Sequence, residues 1–460
     1  MSWKTIARDS QTKLLESIPQ RWRIDVNKYK SLKNVTGVPG TCGLLTDEQL
    51  GITELSAVKI VKCLERRELK AVQVLEAFAA RTAIAHQLVN CLTDWFYDDA
   101  LERAKELDQY LDTYGRLSGV LHGVPVALKD YHVVKGHATT SGYVSKRDNI
   151  VQHDSAIVKA LRDEGAIFFC KTTMPQTGMA LETVSNLWGR TLNPFNRDLS
   201  AGGSSGGDAA LVAMRGCPVT PSTDSGGSIR VPAAFNGLYA IRPTADRIPK
   251  GGMDNTNNGQ TAFSLSCGPV CHSFEDLELL TEFGIYYPSG IEGILDTLKS
   301  SEEPLIPVFT KLQDIYQPKP LSAAELLKLN IKARVYKEQF LAAWDATASE
   351  TQSGRPIDAL ICPSAPTIGL PHDFNLYWGY TSLFNIVDYP SIILPIPEPL
   401  EADPIHVTYK PLNTNPFDEA NSHLYTPELF SNLPYTIQIV GRPFKDEELI
   451  QVASKIDGLF

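Results

Sequence analysis

The sequence predicts an α/β fold in which a single large domain carries a sheet covered by helices on both faces. Two observations carry that prediction. From Gly123 onward, short apolar runs (Val124 to Leu128, Ala166 to Cys170, Leu238 to Ile241) are punctuated by Gly or Pro and followed by helical stretches, a pattern that sets strands between helices. The chain has 460 residues, 43% hydrophobic and 21% charged, close to the globular average and long enough to bury a large core.

Taken in order, residues 1–118 read as a helical segment that packs on the core, and residues 119–460 as the α/β core itself. From Ser56 to about Ala85, apolar residues recur at three and four, including Val58, Val61, Leu64, Val72, Leu75 and Phe78; a second helical run covers Ala100 to Leu111. Both are packing helices with no chemistry in them. Pro395 to Pro404, with acidic residues between the prolines, reads as a surface loop rather than a domain linker, because strand-like patterning resumes near Ile437. There is no internal repeat and no low-complexity segment.

Charge and cysteine usage exclude several classes. The chain has 43 Lys and Arg against 53 Asp and Glu, a formal charge of −10, and no clustered basic tract, which argues against a nucleic-acid partner. An acidic substrate stays open, since one local Arg could serve it. Eight cysteines (Cys42, Cys63, Cys91, Cys170, Cys217, Cys267, Cys271 and Cys362) are scattered without a C-x-x-C pair, as expected of a reducing cytoplasm. Cys267 and Cys271 lack His or Cys partners at zinc-ligand spacing and read as small hydrophobes. The polar start, Met1-Ser-Trp-Lys-Thr, lacks the apolar core of a signal peptide, and no run approaches the roughly eighteen apolar residues of a membrane span.

Chemistry concentrates in three places. Gly202-Gly-Ser204-Ser205-Gly-Gly-Asp208 precedes an apolar helical run; its glycines permit close approaches, and Ser205 with Asp208 fits a capping box for the helix. By pattern alone it is as readily a flexible Gly/Ser turn. In Thr223-Asp224-Ser225-Gly226-Gly227-Ser228-Ile229-Arg230, a strand over Val219 to Thr223 leads through a glycine turn to a helix from Ser228 to Asn236, limited to its first turns by Pro232. That places Ser228 at a helix N-terminus, among free N–H groups that would stabilise a developing oxyanion. A serine needs a base. None of the nine histidines stands in an obvious nucleophile-base context, but Lys129 ends the apolar run Gly123-Val-Pro-Val-Ala-Leu, where burial would favour its neutral form. Standing alone, it would be a surface lysine just past a strand.

Taken together, these residues resemble the amidase signature family, over roughly residues 56–283 and 355–455. The resemblance implies a central twisted mixed β-sheet, with Lys129 as base, Ser204 as the cis-peptide serine that relays protons, and Ser228 as the nucleophile that becomes acylated. Ser225, Gly226, Gly227 and Ser228 then correspond to the oxyanion-hole turn, with Asp224 and Arg230 as charged support. Asn193-Pro-Phe-Asn196, Ile241-Arg-Pro-Thr244 and Gly268-Pro269 agree, and Ala359 to Pro366, Tyr380 to Pro395 and Ile437 to Pro443 look like the ending of fungal acetamidase-type members. The implied activity is hydrolysis of a linear amide to acid plus ammonia or amine through an acyl-enzyme, without metal or organic cofactor. The implied partner is a small-molecule amide held near Thr177, Gly178 and Met179, with no nucleic acid and no membrane; a homodimer stays open.

The chain also departs from the family pattern. Ala201 stands where proline is common, Cys170 and Ala240 where glycine is frequent, and Tyr435-Thr436 where a Val-Gly pair is more usual. After Phe283 the acetamidase-like pattern jumps to Gly284-Ile-Tyr-Tyr287, as if some tens of residues were deleted. Lys129, Ser204 and Ser228 all precede that join. Two competing functions follow: an impaired homologue acting as a binding or assembly subunit, and an α/β-hydrolase-type esterase using Ser204 in Gly202-Gly-Ser-Ser-Gly206. The second is disfavoured because Asn196-Arg-Asp-Leu-Ser200 is too polar for the strand a nucleophile elbow needs.

Overall fold

A computed structural model describes residues 2–254, 265–281, 301, 303–304, 306–307, 322–374, 377–397 and 427–460. Its centre is a nine-stranded sheet in the order β1-β3-β2-β6-β8-β7-β10-β11-β9. In chain order these are β1 (Leu92–Trp95), β2 (Pro125–Lys129), β3 (Ile167–Thr172), β6 (Val219–Asp224), β7 (Tyr239–Arg242), β8 (Ser266–Cys271), β9 (Leu360–Cys362), β10 (Ser391–Ile396) and β11 (Tyr435–Val440). β4 (Val184–Ser185) and β5 (Gly189–Arg190) form a separate two-stranded ribbon. β2 is parallel to both β3 and β6, while β6 to β8 and the strands beyond pair antiparallel, so the sheet is mixed.

Three expected strands form within two residues of their predicted bounds, and β2, β3 and β6 are buried along their whole length. That is the pattern of strands covered on both faces. The N-terminal segment differs from the helical expectation in one respect. It supplies β1, which pairs antiparallel with the edge of β3. Four residues are too few to display a two-residue period, so only the neighbour reveals the strand.

The run expected from Ser56 to Ala85 is two helices, Ala57–Glu65 and Ala71–Val89, separated where Arg67 turns left-handed at φ 58°. Ser56 caps the first through the Lys59 N–H. The second is buried nearly all round, which explains its indistinct amphipathic pattern. It packs on the helix Gly206–Ala213 and on β2, tying the N-terminal segment into the same core as the sheet.

The loop expected from Pro395 begins later, because Pro395 and Ile396 continue β10 opposite Thr436 and Tyr435. β7 reaches only as far as Ile393, so Pro395 has no ladder partner on that side and its missing N–H costs nothing there. Residues 398–404 of that loop, and the expected join at 283/284, lie outside the described residues.

Candidate active site

Lys129 is the last residue of β2, its side chain fully buried. Its Nζ donates three hydrogen bonds, each 2.8 Å long, to Ser204 Oγ, Ser205 Oγ and Thr223 Oγ1. Topology brings them together, since β6 lies parallel beside β2 and ends in Thr223, while the glycine loop enters its helix alongside. Three hydroxyl oxygens satisfy the three donors of an ammonium without neutralising its charge.

Lys171 on neighbouring β3 shows the contrast. It is also fully buried, but its ammonium is paired with Asp130 Oδ1 at 2.9 Å. Lys129 has no carboxylate within salt-bridge distance among the described residues. Burial therefore pushes its pKa down to about 8, against the upward pull of the Asp208 and Asp224 charges.

The glycine loop is no flexible turn, because residues 201–208 are buried throughout. A Cβ on Gly203 would stand 2.5 Å from the Ala180 carbonyl, so glycine lets this loop press against the 174–182 loop. The Gly203–Ser204 peptide is cis, as the resemblance implied for that serine. The expected capping box is absent. Ser205 Oγ accepts from Lys129 and donates to the Thr223 carbonyl, and the Asp208 carboxylate accepts from Thr172 Oγ1 and Ser222 Oγ. These buried donors and acceptors outcompete the helix N–H groups.

Ser228 also stands differently from expectation. The helix there is only Arg230–Phe235, with Ser228 in the turn ahead of it. The Asp224 carboxylate takes the Gly227 N–H at 2.8 Å, the Ile229 N–H at 3.1 Å and the Arg230 N–H at 3.4 Å, so a side chain caps the helix start. Gly227 therefore already has an acceptor for its N–H, whereas no such bond ties down Ser225, Gly226 or Ser228 among the described residues. Ser228 Oγ has no hydrogen-bond partner among the described residues. At 6% it is more open than Ser204 at 1%. A bond from Ser205 N to the Ser228 carbonyl, 3.1 Å, joins the two loops.

Asp224 and Arg230 form the fork that holds this turn. Arg230 Nε and Nη2 each donate to Asp224 at 3.0 Å, and Nη1 donates to the Thr381 carbonyl and Gln438 Oε1, also at 3.0 Å. Burial alone would raise the Asp224 pKa, but the Arg230 charge and hydrogen bonds hold it well below the usual carboxylate range. Thr381, in the helix Gly379–Val387, donates to the Gly226 carbonyl at 2.7 Å, and the Trp378 ring lies 3.0 Å from where a Gly226 Cβ would be.

The 174–181 loop carries Thr177, Gly178 and Met179. Thr177 and Gly178 are both left-handed, at φ 72° and 70°, and a Gly178 Cβ would lie 1.9 Å from Tyr131 Oη. Tyr131 Oη donates to the Thr177 carbonyl at 3.3 Å, and the Tyr131 ring centre lies 5.5 Å from Lys129 Nζ, so this loop is tethered to the lysine's surroundings. Glu303 and Ile306 close over the same loop through Gln176.

Sequence reasoning missed the roles of Thr223, Tyr131, Thr381 and Gln438. Thr223 was recoverable from its place beside Asp224 at the end of a strand; the others needed the tertiary contacts. No histidine bonds Ser204, Ser205 or Ser228 among the described residues, and His132, three residues past Lys129, instead contacts the Pro221 carbonyl at 3.0 Å. The residues leading to Ser204 form no strand, so the esterase reading lacks its elbow.

Comparison with known proteins bears on the same region. The family model "Amidase" matches residues 73–287. An amidase of Gibberella zeae is 54% identical across 100% of this chain and 99% of its own length. The chain belongs to the amidase signature family. Within that family, the acetamidase of Aspergillus oryzae is 34% identical over 100% of this chain and 99% of its own. A solved structure of fatty acid amide hydrolase superposes with a TM-score of 0.88 at 26% identity, covering 99% of this chain and 94% of that one. This amidase is thus a hydrolase of amide bonds on the amidase signature fold. The Gibberella zeae match runs over 542 residues against the 460 here, so that relative carries residues with no counterpart in this chain. Among the described residues no helix is long and apolar enough to cross a membrane, and no three His, Cys, Asp or Glu side chains gather as a metal site.

Proposed function

We propose that this amidase hydrolyses linear carboxylic amides to acid plus ammonia or amine through an acyl-enzyme on Ser228, with Lys129 as base and Ser204 as proton relay. The observation that carries the reading is the Lys129 ammonium, fully buried, bonded to hydroxyls alone and directly to Ser204 at 2.8 Å. A lysine so placed gives up its proton near neutral pH and can then accept one.

In the first half-reaction Ser228 Oγ attacks the amide carbon as its proton passes to Ser204 Oγ, whose own proton moves to neutral Lys129. The tetrahedral oxyanion is met by the N–H groups of Ser225, Gly226 and Ser228. The C–N bond breaks as the proton returns from Lys129 through Ser204 to the leaving nitrogen. Water then attacks the acyl-Ser228 ester by the same route, releasing the acid and restoring the hydroxyl. The acyl group would lie along Thr177, Gly178 and Met179, with the Trp378 ring beside the turn. The names of the acetamidase relatives support small aliphatic amides, in catabolism or in a tailoring step of small-molecule biosynthesis. We take the residues missing relative to the relatives to fall at the join after Phe283, where the family-like pattern of the sequence jumps, beyond Lys129, Ser204 and Ser228 in the chain. All eight cysteines are free, in keeping with a cytoplasmic protein.

A fluorophosphonate probe tests the reading. Wild type should label and Ser228→Ala should not, while Ser204→Ala should retain slower labelling. No labelling of folded wild type would instead support the binding-subunit reading. A Ser204→Ala loss deeper than that of Ser228→Ala would mean the two serines' roles are exchanged.

A further inference from the structure

Asp208 lies in the first turn of the helix Gly206–Ala213, fully buried, and the reaction as written gives it no part. One carboxylate oxygen accepts from Thr172 Oγ1 and the other from Ser222 Oγ at 2.5 Å. No cation lies within salt-bridge distance of it among the described residues. Both hydroxyls belong to the strands flanking Lys129. Thr172 is the register partner of Lys129 across β2 and β3, and Ser222 precedes Thr223, whose hydroxyl accepts from Lys129 Nζ.

A buried carboxylate without a paired cation must either find a counter-charge or hold a proton. We propose that Asp208, braced by Thr172 and Ser222, is the counter-charge that governs when Lys129 carries its proton, and so acts as a positioning residue for the base. This rests on the reading of Lys129 as base. Asp224, the other carboxylate acting on Lys129, is already neutralised by the Arg230 fork. Among the described residues the remaining charged and titratable groups around the pair are Tyr131, whose ring centre lies 5.5 Å from Lys129 Nζ, Cys267 on β8, His132 after β2, Lys171 on β3 with its partner Asp130, and Cys91, Cys170 and Cys217 near Asp208. Burial keeps all four thiols protonated and His132 neutral, and Asp130 answers Lys171. Among the described residues Asp208 is therefore the negative charge acting on the lysine that no cation pairs. Burial raises its own pKa to about 6, against the opposing pull of Lys129 and the two hydroxyls.

The sign follows. Removing the Asp208 charge makes the lysine easier to deprotonate, so the acid limb of the reaction moves to lower pH. In Asp208→Asn, where both hydroxyls can turn to donate to or accept from the amide, the acid limb of fluorophosphonate labelling should fall by about one pH unit. Ser222→Ala strips one hydrogen bond from the charged carboxylate and should move the limb the same way by less. It carries the test if Asp208→Asn does not fold. An acid limb that stays in place in the folded variants overturns the proposal. If instead wild type shows no acid limb and Lys129→Ala labels as fast as wild type, the lysine-base reading itself fails, a result distinct from the first.

Discussion

Replacing Arg230 by methionine removes the cation that holds the Ser228 turn while keeping much of the side chain's apolar length. The guanidinium is fully buried, bonds Asp224 twice, and ties the turn to Thr381 and Gln438 on other elements. Without it Asp224 is a buried carboxylate that keeps backbone N–H donors and the Asn385 amide at 2.9 Å but has lost its paired charge. Breaking such a pair on one side costs about 3–5 kcal/mol, a large part of a typical stability of about 5–15 kcal/mol. Urea unfolding at pH 7 reads the loss. Arg230→Lys should lose less, since an ammonium can reach Asp224 but cannot also span Thr381 and Gln438. The pH dependence has a definite sign. In wild type the Asp224 pKa lies below its unfolded value, so its contribution is present above about pH 4 and is lost as pH falls further. The gap between Arg230→Met and wild type should be widest at high pH and narrow as pH falls through the variant's own Asp224 pKa, which burial without the Arg230 charge raises above that of wild type. A variant within about 0.5 kcal/mol of wild type at pH 7, the range of an ordinary surface substitution, would refute the reasoning.

The acid limb of turnover is a second expectation. With the lysine pKa near 8 and its neutral form required, kcat/KM for amine or ammonia release should fall about tenfold per pH unit well below 8, and Lys129→Met should abolish turnover. A rate flat from neutral to acid pH would count against a lysine base. Gly178→Ala sets a methyl against Tyr131 at a left-handed φ and should cost about 1–3 kcal/mol of stability and lower kcat/KM; adding Tyr131→Phe should recover part of that loss. No recovery would place the strain elsewhere.

Much of the site is legible along the chain because its parts are local. The glycine loop, the Asp224 to Arg230 turn and the apolar run ending in Lys129 are each contiguous, and glycine, serine and a strand-terminal lysine have few other reasons to occur in those orders. The strands were legible where four or more apolar residues follow a Gly without interruption, as at Ala166 to Cys170, and illegible at Leu92–Trp95, where a short edge strand depends on β3 for its identity. The capping-box reading of Ser205 and Asp208 failed for a related reason. The local pattern was present, but buried hydroxyls and an ammonium from other strands claimed both side chains.

The order of residues by itself determined the fold class, the family and the serines and lysine on which the chemistry is proposed to rest. Only the tertiary structure decided that three hydroxyls and, among the described residues, no carboxylate meet Lys129, that Asp224 takes the Gly227 N–H, and that Asp208 bonds Thr172 and Ser222 on the two strands beside the lysine. Lys129 meets Ser204 and Thr223 across 75 and 94 residues of chain. Contacts at that separation exist only once β2 lies between β3 and β6, and a buried charge takes its properties from whatever that arrangement leaves beside it.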